Sequence, residues 1–190
     1  MCSDLAILGA LALALASPAL PPARVSANEA LAGGRVFLTV DEALALAFAG
    51  CTVERTSVYL TDEQREEIGE LAGHDFERRI LRPYVARKDG ELVGTAYFDT
   101  HRVRTLDESL MVVVAPDDTI KRIELLAFGE PREYIPRAKW YAQFLGKKLD
   151  ADLSLKRGIR GITGATLTAR ATLNAVRGVL AAHEVVSREG

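Results

Sequence analysis

Threonine and glycine residues with the spacing of an anion site lie in the stretch RGITGATLTARA, residues 160–171. Thr163, Thr166 and Thr168 surround a Gly-Ala pair at the point where a helical pattern begins. The first N–H groups of a helix have no partner inside the helix, and the helix dipole favours negative charge there. Small residues also let a ligand approach the backbone. The stretch therefore indicates a phosphate site, although a capped helix after a glycine-rich loop explains the same residues.

Basic residues are concentrated around this stretch. Between Arg132 and Arg170 the sequence has nine lysines and arginines and three acids, although the whole chain carries a net charge of −2. The small net charge gives no reason to expect a nucleic acid as partner. A charge run alone is typical of a solvated face, but beside a helix start it favours an anion site.

The first thirty residues have the composition of a targeting segment. Residues 5–17 form a run of small apolar residues, and three prolines follow it. We expect residues 1–30 to be a signal peptide or an N-terminal anchor, and residues 31–190 to form a single domain. This predicts a location in the periplasm or at the outer face of the cytoplasmic membrane. The histidines and cysteines lie far apart in the sequence, so no metal site is predicted.

Helices are predicted from apolar periodicity and from capping residues. They cover residues 40–48, residues 62–73 with Thr61 as N-cap, residues 135–146 and residues 167–186. In the last helix Leu173, Val176 and Leu180 mark the buried stripe, and Thr163 is expected to be its N-cap.

Strands are predicted from runs rich in β-branched residues and from turn residues. They cover residues 52–60 and two hairpins, 78–88 with 91–100 around Asp89-Gly90, and 109–116 with 119–128 around Asp117-Asp118. The apolar run 111–114 is expected to be central, with one face covered by a helix. The order of elements predicts an α+β domain, in which an antiparallel sheet of about four or more strands is packed by helices.

The hexapeptide TGATLT resembles the Ser/Thr-Gly-Ala-Thr signature of the FMN-binding domain family. That family includes the G subunit of Rnf-type electron transport complexes and the C subunit of sodium-pumping NADH:quinone reductases. Other residues also occur here in the order found in that family, namely Glu130-Pro131, then Trp140, Phe144 and Gly146-Lys147. The resemblance therefore covers roughly residues 80–185. It implies FMN linked to Thr166 by a phosphoester, installed by a periplasmic flavin transferase.

The resemblance and the local chemistry together define the predicted cofactor-binding residues. They are Thr166, Thr163, Gly164, Ala165, Thr168, Leu167, Arg160, Glu130, Trp140 and Lys147. Arg160 occupies the position, six residues before Thr166, where the transferase favours an acidic residue. A guanidinium suits a phosphate dianion, so FMN held without a covalent bond stays an alternative to covalent attachment. Glu130 is expected to make either a structural hydrogen bond or one to the flavin edge.

The sequence predicts an exported electron-transfer flavoprotein that works with a redox partner at the membrane or in the periplasm. No nucleophile–base pair and no paired catalytic carboxylates were found, which argues against hydrolase or transferase chemistry. A periplasmic flavin reductase with non-covalent FMN is one alternative, and it requires a proton donor such as His101 near the flavin. A binding or scaffold module without flavin is the other.

Overall fold

The computed structural model describes residues 35–188, so the predicted targeting segment lies outside the described residues. Within the described range no helix combines the length and the apolar character needed to cross a bilayer.

Within residues 35–188, eight strands lie in two antiparallel sheets. They are β1 (Arg35–Val36), β2 (Thr52–Arg55), β3 (Val58–Tyr59), β4 (Ile80–Leu81), β5 (Tyr84–Lys88), β6 (Glu91–Arg102), β7 (Asp107–Val114) and β8 (Ile120–Phe128). Six of them form the main sheet in the order β1-β8-β7-β6-β5-β2, while β3 pairs with β4. From β5 to β8 each strand pairs with the next strand along the chain, which makes this part of the sheet a meander.

Both predicted hairpins are confirmed. Asp89 and Gly90 take positive φ angles of 51° and 86° between β5 and β6, and Asp118 takes a φ of 65° between β7 and β8. Aspartate and glycine tolerate this left-handed conformation better than other residues, which explains why the chain turns at these places.

Two predicted strands are each split into two pieces. Residues 52–60 divide into β2 in the main sheet and β3 in the small one, and residues 78–88 divide in the same way into β4 and β5. The division falls around Pro83, whose carbonyl accepts from Thr56 N at 3.0 Å. Proline has no N–H to donate to a continuing ladder, so the pairing changes sheet at this residue.

Residues 35–188 contain four α-helices, of which three pack on the main sheet and α2 packs on α4 and the small sheet, in agreement with the predicted α+β class. They are α1 (Val40–Ala47), α2 (Asp62–Ala72), α3 (Ala138–Tyr141) and α4 (Thr166–Ser187). Thr61 caps α2 as predicted, because its hydroxyl accepts from Gln64 N at 3.2 Å. Thr39 and Glu42 form the equivalent reciprocal pair at the start of α1.

The prediction of one helix over residues 135–146 is wrong. The segment contains only α3 and a 3₁₀ turn, Ala142–Phe144. Gly146 then takes a φ of +74°, and its N–H donates to Ile120 O at 2.9 Å. Ile120 N in turn donates to Lys147 O at 2.9 Å. Pairing with the start of β8 therefore replaces the last turns of the predicted helix.

Strand β7 is buried on both faces, whereas the sequence predicted a helix over one face. Leu110 and Val112 pack in the cluster that contains the predicted stripe of α4, whose residues Leu173, Val176 and Leu180 are all buried as predicted. Met111 and Val113 pack on the other face in the cluster formed with α1. The start of α4 is thereby held against the rigid centre of the sheet.

Candidate functional site

A cavity of about 250 Å³ opens at the start of α4. Its walls come from the beginning of this helix, the loop after β6, and the segment that follows β8. The lining residues are Val103, Arg104, Glu130, Tyr134, Gly164, Ala165, Thr166, Leu167 and Thr168. The cavity thus brings together six of the ten residues predicted to bind the cofactor.

The helix start that faces this cavity has no side-chain cap. Its N-cap residue is Ala165, which makes no side-chain hydrogen bond, whereas Thr39 and Thr61 cap α1 and α2. The first intrahelical hydrogen bond runs from Ala169 N to Ala165 O at 3.0 Å. Thr166, Leu167 and Thr168 therefore present three N–H groups that no described residue accepts. An uncapped helix start of this kind is suited to bind an anion.

The prediction that Thr163 caps α4 is wrong, because the N-cap residue is Ala165. Gly164 takes a φ of +83°, and Ala165 N donates to Ile162 O at 3.1 Å. This turn moves the N-cap from Thr163 to Ala165, and Thr163 is exposed outside the cavity lining. No heavy atom lies within 4 Å of a Cβ built on Gly164, so the left-handed backbone alone accounts for the glycine.

The two threonines of the first helical turn have different environments. Thr166 is exposed, while Thr168 is buried with 1% of its surface accessible. Leu167 between them is half exposed. Thr166 is therefore the residue of the turn whose hydroxyl is open to a ligand or to a modifying enzyme.

Glu130 fixes the loop on the opposite wall of the cavity. Its Oε1 accepts from Thr105 N at 2.6 Å, from Leu106 N at 2.8 Å and from the Thr105 hydroxyl at 3.2 Å. Burial opposes its ionisation, but the backbone N–H groups of Leu106 and Thr105 outweigh burial and hold the pKa of Glu130 below its usual range. Of the two roles expected for Glu130, the structural hydrogen bond is present, and it positions the loop that carries Arg104.

Trp140 and Lys147 lie away from the cavity. Trp140 is buried in the core, 5.1 Å from Phe144 between ring centroids, and its indole Nε1 donates to Arg160 O at 2.6 Å. Arg160 N donates to Gln143 Oε1 at 2.9 Å, and the Arg160 side chain is exposed. The main chain of Lys147 pairs with Ile120. Trp140 therefore positions the chain before the cavity, and neither it nor Arg160 nor Lys147 lines the cavity itself.

Sequence reasoning missed Val103 and Tyr134. For the run that holds Arg104 it weighed a contact to flavin or to a partner's acidic face against an exposed strand-end loop, and it left Arg104 out of the predicted site. Arg104 and Val103 belong to the unusual run DTHRVRT, residues 99–105, so the charges of this run were a usable signal. Tyr134 lies in the 3₁₀ turn Arg132–Tyr134, directly after Glu130-Pro131. Only the fold brings it opposite the start of α4.

A buried ionic network lies between the sheet and α4. The His101 Nδ1 lies 2.7 Å from Asp99 Oδ1, and Nε2 lies 2.9 Å from Glu108 Oε2. Arg78 also bonds to Asp99. Burial favours the neutral imidazole, but hydrogen bonds to the two carboxylates reverse this and raise the pKa of His101 to about 9. His101 is thus held as a cation between two acids.

Glu108 is the centre of this network and is fully buried. Besides His101, it accepts from the Tyr141 hydroxyl at 2.9 Å and from the Thr172 hydroxyl at 2.7 Å. The bond from Thr172 connects β7 directly to α4, one and a half turns after Thr166. The network thereby sets the position of the helix whose start faces the cavity.

A wider cleft of about 540 Å³ lies beside the far end of α4. The Tyr97 hydroxyl lies 2.9 Å from His183 Nδ1, and His183 Nε2 lies 3.4 Å from Asp118. Burial lowers the pKa of His183 despite the opposing effect of Asp118. None of the ten residues predicted to bind the cofactor lines this cleft, so the cavity at the start of α4 is the candidate site.

The antiparallel sheet thus presents an uncapped Gly-Ala-Thr helix start to a cavity, which is the geometry of a phosphate-binding class of site. Residues 107–181 match the model of the FMN-binding domain family, which confirms the predicted resemblance to that family and supports FMN as the cofactor. Among solved structures, the crystal structure of NqrC from Shewanella oneidensis is similar, with a TM-score of 0.50 and 16% sequence identity. The similarity covers 72% of this chain and 85% of that chain, and it confirms the predicted fold class. No curated protein matches the chain.

Proposed function

We propose that this protein is an exported electron-transfer flavoprotein whose FMN is linked by a phosphoester to Thr166. The observation that carries the proposal is the uncapped start of α4, where the exposed hydroxyl of Thr166 lies beside three unpartnered backbone N–H groups. The match of residues 107–181 to the FMN-binding domain family supports it.

The residues at the helix start fit a phosphate group. Backbone N–H groups of Thr166, Leu167 and Thr168 would donate to its oxygens, and the helix dipole favours its charge. Gly164 has no side chain to obstruct the approach, and Arg104 brings a guanidinium to the opposite wall. The expected anion site thus has both backbone and side-chain donors.

The remainder of the cavity suits only part of a flavin. Its volume of about 250 Å³ lies below the range of roughly 300–1,000 Å³ that is usual for small-molecule sites, so part of FMN would extend beyond it. Val103, Tyr134 and the half-exposed Leu167 offer apolar surface to that part. When bound, FMN supplies one- or two-electron transfer at a potential tuned by neighbouring donors.

Arg160 bears on the covalent link. Its main chain is held by Trp140 and Gln143, and its side chain is exposed outside the cavity lining. A flavin transferase would meet this arginine where an acidic residue is expected, while the phosphate site itself would be unaffected. We therefore assign Arg160 to recognition of the chain by the transferase.

Export and location rest on the sequence of residues 1–30. A signal peptide or anchor there would place the domain in the periplasm or at the outer face of the cytoplasmic membrane. The redox partner would then be a protein at the membrane or in the periplasm.

The flavin reductase alternative has less support. It requires a proton donor beside the flavin, and His101 was the residue suggested for that role. Both nitrogens of His101 are engaged by carboxylates, and His101 does not line the cavity. An electron carrier needs no such donor.

The test is an intact mass, measured under denaturing conditions, of full-length protein exported from a host with an active flavin transferase. We expect a mass increase of one FMN less one water, abolished in Thr166→Ala and retained in Thr163→Ala. Thr163 is the matched control because it is exposed in the same motif but lies outside the cavity lining. A protein that is yellow but unmodified would show non-covalent FMN, and a colourless protein would leave the scaffold alternative.

A further inference from the structure

Ten exposed arginines carry no ion pair within residues 35–188, and six of the ten lie between residues 104 and 170. We call these six the basic rim, and they are Arg104, Arg132, Arg137, Arg157, Arg160 and Arg170. Other arginines of the described chain, such as Arg78 and Arg188, do pair with acids. The charges of the basic rim are therefore not used to hold the fold together.

The basic rim lies on segments that converge at the candidate site. Arg104 lines the cavity, and Arg132 shares a 3₁₀ turn with the cavity residue Tyr134. Arg170 follows Thr166 by one turn of α4. Arg137 begins α3, whose Trp140 donates to the carbonyl of Arg160. The chain before the cavity and α3 are thus neighbours. Arg104 lies in the cavity wall, and the other arginines of the rim lie on segments that adjoin its lining or precede it in the chain.

Acidic residues are concentrated on α2, away from the basic rim. This helix has Asp62, Glu63, Glu66, Glu67 and Glu70. It packs against the C-terminal half of α4, in the cluster with Ala181 and Val185. Ala181 lies fifteen residues after Thr166, which is about 22 Å along a helix. The molecule therefore has separated charges although its net charge is only −2.

We propose that the basic rim is a docking surface for the acidic face of a redox partner protein. Guanidinium groups pair with carboxylates in two-bond geometry, and complementary charge accelerates encounter between proteins. Because Arg104 lines the cavity and Arg132 and Arg170 lie on elements that form its walls, a partner bound to the rim would lie close to the flavin. The acidic α2 would be repelled by the same partner, so the separated charges also orient the encounter. This inference names the partner class of the proposed electron carrier and rests on that function.

The first test measures binding of fluorescently labelled poly-L-glutamate, an acidic polypeptide, to the full-length protein at low and high salt. The double variant Arg137→Glu/Arg157→Glu is compared with Arg82→Glu/Arg87→Glu, which makes the same charge change at exposed arginines beside and on β5, toward the edge of the main sheet opposite β1. We expect the rim variant to weaken binding by about tenfold and the control by less than about twofold. Equal losses, or no binding by the wild-type chain, would overturn the proposal.

Two other occupants of the basic rim, a membrane surface and a second copy of the chain, would give different experimental results. Binding to anionic phosphatidylglycerol vesicles that is lost in the rim variant, without binding of poly-L-glutamate, would make the rim a membrane-contact surface and overturn the proposal. Salt-sensitive dimers in sedimentation, abolished by Glu63→Lys/Glu66→Lys, would show that α2 of a second copy docks there and would also overturn it.

The second test uses the FMN-loaded protein after chemical reduction. Each reduced flavin gives two electrons to two one-electron acceptors, either anionic hexacyanoferrate(III) or cationic hexaammineruthenium(III). We expect the rim variant to slow reoxidation by the anion by about tenfold and not to slow reoxidation by the cation. Equal effects on both acceptors would contradict a docking surface at the flavin. Flavin content is recorded separately, so a protein without FMN contradicts the proposed function and not the rim.

Discussion

Thr172 on α4 donates its hydroxyl hydrogen to Glu108 Oε2 on β7 over 2.7 Å, and both side chains are fully buried. This hydrogen bond joins β7, near the centre of the main sheet, to the helix that begins at the cavity. Glu108 also accepts from Tyr141 on α3 and from His101 on β6, so the carboxylate has polar partners from β6, α3 and α4. The position of the Gly-Ala-Thr turn thus depends on a charge that lies in the core.

Replacement of Thr172 by valine keeps the shape of the side chain and removes the donor. We expect Thr172→Val to lower the free energy of unfolding by about 1–3 kcal/mol, because the buried Glu108 loses a hydrogen bond. Urea denaturation measures the loss. Thr163→Val is the control, since Thr163 is exposed, and its effect should stay within about 0.5 kcal/mol. Similar effects of the two substitutions would contradict a structural role for the Thr172 hydroxyl.

The imidazolium of His101 makes stability depend on pH. Below pH 6.5 the group is protonated in both folded and unfolded chains, so its full stabilisation is present. Between pH 6.5 and about 9 the unfolded chain releases the proton and the folded chain keeps it, so the free energy of unfolding falls as pH rises. We expect a total fall of at most about 3 kcal/mol.

Urea denaturation at several pH values below 10 checks this fall. This upper pH limit separates the effect of His101 on stability from the effects of Tyr97 and Tyr141, since burial raises the pKa of both phenols above the ordinary value of 10.0. His101→Gln should flatten the profile between pH 6.5 and 9. A profile of unchanged slope in this variant would assign the effect to other groups.

Glu130 is expected to affect FMN binding through the loop it holds. In Glu130→Ala the N–H groups of Thr105 and Leu106 lose their acceptor, so the loop with Arg104 is no longer fixed against the cavity. We expect FMN to dissociate about tenfold more readily from the Thr166→Ala background, in which attachment is non-covalent, as measured by fluorescence titration. Glu133→Ala alters an exposed acid three residues later and should leave affinity unchanged. An equal loss of FMN affinity in both variants would mean that the change of net charge causes it, and not the loss of the hydrogen bonds to Glu130.

Gly164 and Gly161 offer a matched pair in the motif. A Cβ at either position meets no atom within 4 Å, but only Gly164 has a positive φ, at +83°. We expect Gly164→Ala to cost about 1–2 kcal/mol of unfolding free energy and to weaken FMN binding, because alanine strains a left-handed turn. Gly161→Ala should be neutral or slightly stabilising. Thermal denaturation and flavin content measure both effects, and equal behaviour of the two variants would refute the strained turn.

The elements that were predicted well are those with local chemical causes. Thr61 and Gly73 mark the ends of α2, and aspartate-containing turns mark both hairpins. The errors have long-range causes. The helix predicted over residues 135–146 stops early because the backbone of Gly146 pairs with Ile120, which a local pattern does not contain.

The candidate site was predictable only in part for the same reason. The motif residues from Gly164 to Thr168 are adjacent in sequence, so their shared location required no knowledge of the fold. The loop after β6 brings Arg104 to the cavity, and the segment after β8 brings Tyr134 there, so only the fold places them beside the motif. Likewise, Glu108 was not predicted, because it follows Asp107 just before the predicted strand 109–116, and nothing local shows that His101 lies opposite it on the neighbouring strand.

The meander from β5 to β8 has a consequence for the order in which the protein folds. Its pairings join neighbours in sequence, and contacts of this kind form before long-range ones. The turn at Gly164 and the first residues of α4 acquire their arrangement only when the helix docks on the finished sheet. We expect pulse-labelled hydrogen exchange during refolding to protect β6 and β7 before α4. A flavin transferase would then encounter Thr166 as the last-formed part of an otherwise folded domain.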